Sequence, residues 1–130
     1  MRLGARADGT LSALAFESVA MSSRTKEFPE VAIKPSRQMY AGEHRRITQR
    51  VLPLDIAVPS WMRAPGEAPG LMALEVAMDE LAVACGIDPI ELRIRNEPDV
   101  DPETGQEIDY EDILSSDPGA FIKLPLGAKL

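Results

Sequence analysis

The sequence predicts an α+β fold in which an N-terminal β-hairpin and extended strands precede a long helix (about 70–85) and a short helix (about 89–95). Three observations carry this. Apolar residues alternate on both sides of Asp8-Gly9, period two returns around Ile47, and after Gly70 the spacing lengthens to that of a helix. At 130 residues the chain is the size of one domain, enough to bury roughly two thirds of its unfolded surface.

The first element is "RLGARADGTLSALAFESV". Asp8-Gly9 favours a two-residue type I′ turn, so the stretch reads as a hairpin. From Met21 to Gly42 the pattern breaks up around Pro29, Pro35 and Gly42, which predicts a loop with one short element near Val31 to Ile33. Period two resumes in "HRRITQRVLPLDIAVPSW", with Ile47, Gln49 and Val51 on one side and Thr48 and Arg50 on the other, until Pro53 and Pro59 interrupt it. In "GLMALEVAMDELAVACG", Leu71, Leu74, Met78, Leu81 and Cys85 recur at helical spacing, and Met72 and Met78 are assigned to the core. Gly86 ends that helix, Asp88 caps the next with Pro89 at its first position, and Glu91 closes a capping box. Beyond Asn96 the chain is read as acidic loop, with a short helical turn at Tyr110 to Leu114 and a small apolar tail. The corresponding division is residues 1–105 and 106–130.

Composition excludes several functions. The single cysteine, Cys85, allows no internal disulfide and no multi-cysteine zinc or iron–sulfur site, as suits a reducing compartment. There is no leader-like apolar region at the start and no run of membrane-spanning length, so a soluble protein is expected. Residues 1–70 carry ten Lys or Arg against seven acids, and residues 71–130 carry four against fourteen. Arg45, Arg46 and Arg50 form the only basic cluster and have no aromatic platform beside them, which argues against nucleic acid. "DVDPETGQEIDYE" begins like a calcium loop but has Thr104 where glycine is required and Tyr110 where glutamate is required, so it reads as a solvated loop. His44 lies near no recognisable nucleophile and is expected at a strand edge or surface.

The stretch "WMRAPGEAPG", residues 61–70, has two physical readings. Gly66 and Gly70 would let the backbone approach a ligand, the first helical amides would hold an oxygen or phosphate, and Arg63 would add a fixed positive charge. The other reading is a tight turn packed by Trp61 and Met62, with Arg63 paired to a neighbouring carboxylate.

The order of "RLGARADGTLSAL" and "PSWMRAPGEAPGLMALEVAMDELAVACGIDPIELRIRNEPDVDPETG" resembles the molybdopterin-binding large subunit of the xanthine dehydrogenase and aldehyde oxidase family, in its bacterial aldehyde oxidoreductase branch. The resemblance runs from residue 2 to about Gly105 and implies part of a larger molybdenum-cofactor-binding domain. It places Arg63 at the family's arginine beside the molybdenum centre, with Met62, Ala64 and Gly66 as the accompanying cofactor-binding backbone. Pro65 stands where purine-oxidising members carry a second aromatic, which suits an aldehyde substrate, with N-heterocycles the wider class. The family's catalytic glutamate base and its other pterin loops have no counterpart in these residues, and Glu67 is not assigned that role. No catalytic residue and no metal ligand is therefore assigned here.

The resemblance implies a segment of a molybdenum hydroxylase large subunit, inactive by itself. It would share the molybdenum–molybdopterin cofactor with the remainder of the subunit and work with an iron–sulfur subunit and an FAD subunit. The implied location is the cytoplasm, or the periplasm after export of an assembled complex. The alternative is a small noncatalytic binding or scaffolding protein derived from this region, with Leu114 to Leu126 completing a private core. A fragment should expose apolar surface from the helix at 71–85.

Overall fold

The computed structural model describes residues 1–107. In chain order the elements are β1 (Arg2–Ala5), β2 (Leu11–Ser23), α1 (Lys34–Gln38), β3 (His44–Leu54), α2 (Glu67–Cys85) and α3 (Pro89–Arg95). The expected α+β class and element order hold. The turn at Tyr110 to Leu114 and the apolar tail lie outside the described residues.

The three strands form one sheet in the order β1-β2-β3, with β1 antiparallel and β3 parallel to β2. The hairpin is present, but its turn is not type I′. Type I′ needs positive φ at both central residues, and only Gly9 has it, at 85°. Arg6 O instead accepts from Gly9 N–H at 2.9 Å, Arg6 N–H donates to Thr10 O at 2.8 Å, and the Asp8 carboxylate accepts from Thr10 N–H at 2.9 Å. The loop is longer than the expected two residues, with glycine at its left-handed position.

The segment read as loop contains more structure than its pattern suggests. Strand β2 continues to Ser23, because pairing with β3 runs as far as Ser23↔Leu54 and stabilises residues that lack strand propensity of their own. Val31 to Ile33 then leads into α1, a five-residue helix with Pro35 in its first turn. Along β3 the even positions face outward and the odd ones inward, so the period-two reading holds. Pro53 is tolerated because β3 is an edge strand.

Helices cover one face of this sheet. Leu74, Met78 and Ala82 of α2 share one buried cluster with Leu11, Leu14 and Phe16 of β2, together with Tyr40 and Leu92. Met78 is in the core as expected, but Met72 is 71% exposed, because the buried stripe runs at four-residue spacing from Gly70 through Leu74 and Met78 to Ala82. Helix α2 begins at Glu67 rather than near 70. Pro69 and Gly70 lie in its first turn, where a missing N–H costs no helical bond. Gly86, left-handed at φ 67°, ends α2, and Ile87 N–H returns to Ala82 O at 3.0 Å.

Asp88 caps α3 by accepting from Ile90 N–H at 2.9 Å and Glu91 N–H at 3.1 Å. The capping box is only half formed, because the Glu91 carboxylate accepts from Arg95 at 3.0 Å instead. A polar cluster joins the helices. Arg93 donates to the Glu75 carboxylate at 2.7 Å and pairs with Asp79 at 2.8 Å, while the Tyr40 hydroxyl donates to Glu75 at 3.0 Å. Burial, reinforced by the Glu75 charge, raises the Tyr40 pKa and keeps it a donor.

Candidate functional site

The segment 61–70 lies on the chain that leaves β3. The rings of Trp61 and Phe28 are 5.0 Å apart, and the Lys34 ammonium donates to the Glu67 carboxylate at 3.1 Å. Ser22 Oγ, fully buried, accepts from Phe28 N–H at 2.6 Å and so fixes the residue under Trp61. Sequence reasoning missed Phe28, Val31 and Lys34 as supports, because residues 24–33 have no periodicity to mark them.

The glycines explain the loop's shape. Gly66 has φ 80°, and a Cβ there would stand 2.6 Å from the Val31 backbone; a Cβ on Gly70 would collide with Ala32 O. The close approach they allow is therefore to the chain's own backbone. Ala64, at φ 54°, is the only described residue other than glycine with positive φ, so the turn between Arg63 and α2 carries local strain.

Neither physical reading of this stretch holds entire. Ala68 N–H donates to Ala64 O at 3.2 Å, Gly70 N–H donates to Gly66 O at 3.0 Å, and Pro69 has no N–H, so the first turn of α2 offers few amides to a ligand. Trp61 and Met62 are 69% and 79% exposed and do not plug a turn. The nearby Glu67 carboxylate pairs with Lys34, and Arg63 is exposed, with no hydrogen bond or ion pair among the described residues. Pro65 is half-buried beside it and Gly66 is buried.

The other candidates lie apart from this segment. His44 is the exposed first residue of edge strand β3, and Cys85 is a free, half-buried thiol on α2. The basic cluster is split. Arg45 points inward and donates to Ser36 O and Arg37 O, both at 2.8 Å, at the end of α1, whereas Arg46 and Arg50 point outward. In the acidic loop, the Asp101 carboxylate accepts from Glu103 N–H at 2.8 Å and Thr104 N–H at 3.0 Å, and Arg37 pairs with Glu103. The Asp101 carboxylate there builds a turn, and that of Glu103 ties it to Arg37.

A mixed three-stranded sheet, and an exposed arginine, unpaired among the described residues, on a strained loop ahead of a long helix, make a specific arrangement to compare with known proteins. The sequence model of the molybdopterin cofactor-binding domain matches residues 1–97. The chain belongs to this family. It is 47% identical over 102 residues to the aldehyde oxidoreductase molybdenum-binding subunit PaoC of Escherichia coli, covering 78% of this chain and 14% of that one. A nicotinate dehydrogenase subunit of Pseudomonas putida is 32% identical over 108 residues, covering 72% of this chain and 9% of that one. In structure, the chain is similar to the aldehyde oxidoreductase from Desulfovibrio gigas, with a TM-score of 0.66 and 26% identity over 92% of this chain and 14% of that one. The α+β arrangement is thus similar to part of that aldehyde oxidoreductase. The chain spans about one seventh of the length of these aldehyde oxidoreductases. Among the described residues, no helix is long and apolar enough to cross a membrane.

Proposed function

We propose that this molybdopterin-binding family member is a segment of a molybdenum hydroxylase large subunit and forms one wall of the cofactor pocket around Arg63. The observation that carries the reading is the state of that arginine: exposed, unpaired among the described residues, and presented by a loop fixed at Phe28, Val31 and Lys34. A free guanidinium on a fixed backbone suits an anionic pterin or phosphate oxygen, because it stays charged and offers a planar fork of donors. The donor set therefore fits the cofactor through a side chain more than through the helix terminus.

In this reading Arg63 holds and neutralises an anionic edge of the cofactor. Met62, Ala64 and Gly66 shape the backbone beside it, and Pro65 borders the substrate side in place of an aromatic ring. The molybdenum–molybdopterin group supplies the redox centre for oxidising an aldehyde, or an N-heterocycle, with oxygen from water. The catalytic glutamate would belong to the remainder of the subunit, and iron–sulfur and FAD subunits would serve as its electron-accepting partners. The assembly works in the cytoplasm, or in the periplasm after export. The alternative of a noncatalytic scaffold is favoured by no observation.

The test is gel filtration of the native-host protein with molybdenum measured on the same fractions, for the wild type and Arg63→Ala. We expect the wild type in a large molybdenum-bearing assembly and less molybdenum per chain in the variant. A small, metal-free wild-type species would overturn the reading. Unchanged molybdenum content and turnover in Arg63→Ala would reduce that arginine to a structural role.

A further inference from the structure

Helices cover one face of the sheet, and the opposite face grades from charged to apolar. Parallel register pairs outward positions side by side: Glu17 with Thr48, Val19 with Arg50, and Met21 with Leu52. Arg50 pairs with Glu17 at 3.3 Å at the polar end, while Met21 and Leu52 are 63% and 47% exposed at the other. The apolar pattern then continues past the strand. Leu54, Ile56 and Val58 are all exposed, and the same stretch of chain delivers Trp61, Met62 and Arg63.

Two physical arguments say that this face is covered in the working protein. Parallel pairing is typical of sheets packed on both faces, and β2 with β3 is the parallel pair of this mixed sheet. Extended apolar patches are also rare on a finished surface. The covering group is indicated by length: the chain spans 14% of the Escherichia coli subunit it resembles, so most of the polypeptide that accompanies this fold lies outside these residues.

We infer that the sheet face built by Val19, Met21, Leu52 and Leu54, with the exposed Ile56 and Val58 that follow it in the chain, is the docking surface for the remainder of a molybdenum-binding subunit. The Arg63 loop then lies at the rim of that seam, so the cofactor wall closes only when the two parts meet. This inference rests on the segment reading above and adds which face is used. The outer face of α2 is the weaker surface. Its exposed Met72, Val76 and Val83 are interrupted by Asp79 and Glu80, and Asp79 is already paired with Arg93.

Photo-crosslinking in the native host tests it, with a crosslinking residue placed singly at positions 21, 52, 72 and 83 of the full chain and the joined peptides identified by mass spectrometry. We expect positions 21 and 52 to join to sequence from the rest of a molybdenum-binding subunit, on the same or a separate polypeptide, and positions 72 and 83 to give no such product. In parallel, Met21→Asp with Leu52→Asp should be lost from the large molybdenum-bearing fraction while keeping the wild-type circular dichroism spectrum, and Met72→Asp should stay in that fraction. Products joining position 52 to a second copy of this chain, or to an unrelated protein, would overturn the inference. So would subunit products from positions 72 and 83 only, which would leave the segment reading intact. A wild-type chain that is small and metal-free would remove the segment reading itself.

Discussion

Asn96 links elements that are far apart in the chain. Its side-chain carbonyl accepts from Leu11 N–H at 2.7 Å, and its amide donates to Gly9 O at 2.9 Å and Leu92 O at 2.8 Å, all in a buried position. Replacing it with Ala strands a buried donor at Leu11, which costs more than one exposed hydrogen bond would. Asn96→Ala should therefore lose about 2 kcal/mol in a urea titration, and a loss within error would mean that water replaces the amide. Asp101 gives a pH-dependent expectation. Backbone N–H groups of Thr104 and Glu103 lower its pKa from the ordinary 3.8. A lowered folded pKa contributes stability that is present above the unfolded value and is lost as pH falls through the folded one. NMR titration should show the Asp101 carboxyl protonating below pH 3.8, with amide exchange at Thr104 accelerating in the same window. An unshifted titration would mean that the turn is not formed in solution.

At the scale of elements, α2 was legible because leucines, methionine and alanines repeat at helical spacing over several turns. Its orientation was not. Apolar residues occur on more than one side of this helix, so spacing left Met72 and Met78 equivalent, and only packing on β2 separated them. Met78→Ala should destabilise by roughly 2–5 kcal/mol, while Met72→Ala should stay within about 0.5 kcal/mol; equal effects in thermal or urea unfolding would contradict the packing. The hairpin was legible from its alternation, but its loop length was not. The same Asp8-Gly9 pair serves a two-residue or a longer turn, and here Gly9 is locked by Ile87 and Leu92, which a Cβ at that position would meet at 2.5 and 3.0 Å. Short α1 was missed because five residues around a proline carry no readable period.

At the scale of the molecule, the described residues have one well-packed layer interface and one face that no described helix covers. In the proposed reading the loop around Arg63 is one wall of a cofactor pocket, and the nearby Glu67 carboxylate is paired with Lys34. The isolated chain should therefore reduce no acceptor dye when given an aldehyde and the molybdenum cofactor. Turnover above a cofactor-only control would show that the chemistry is complete within these residues. Steady-state dye reduction is sufficient, because an assembled enzyme and a single wall differ by presence or absence of activity.

The sequence by itself determined the α+β class, the element order after residue 43, the two helix ends at Gly86 and Asp88, and the family. These depend on local spacing, capping chemistry and a family resemblance that runs from residue 2 to about Gly105. Tertiary structure alone decided that β3 pairs parallel to β2, that Gly66 and Gly70 press on Val31 and Ala32, and that Glu67 is taken by Lys34, leaving Arg63 unpaired among the described residues. The physical reason is distance along the chain. Each of those contacts joins residues remote in sequence, 33 positions apart for Lys34 and Glu67, and no local pattern in either partner encodes where the other will come to rest.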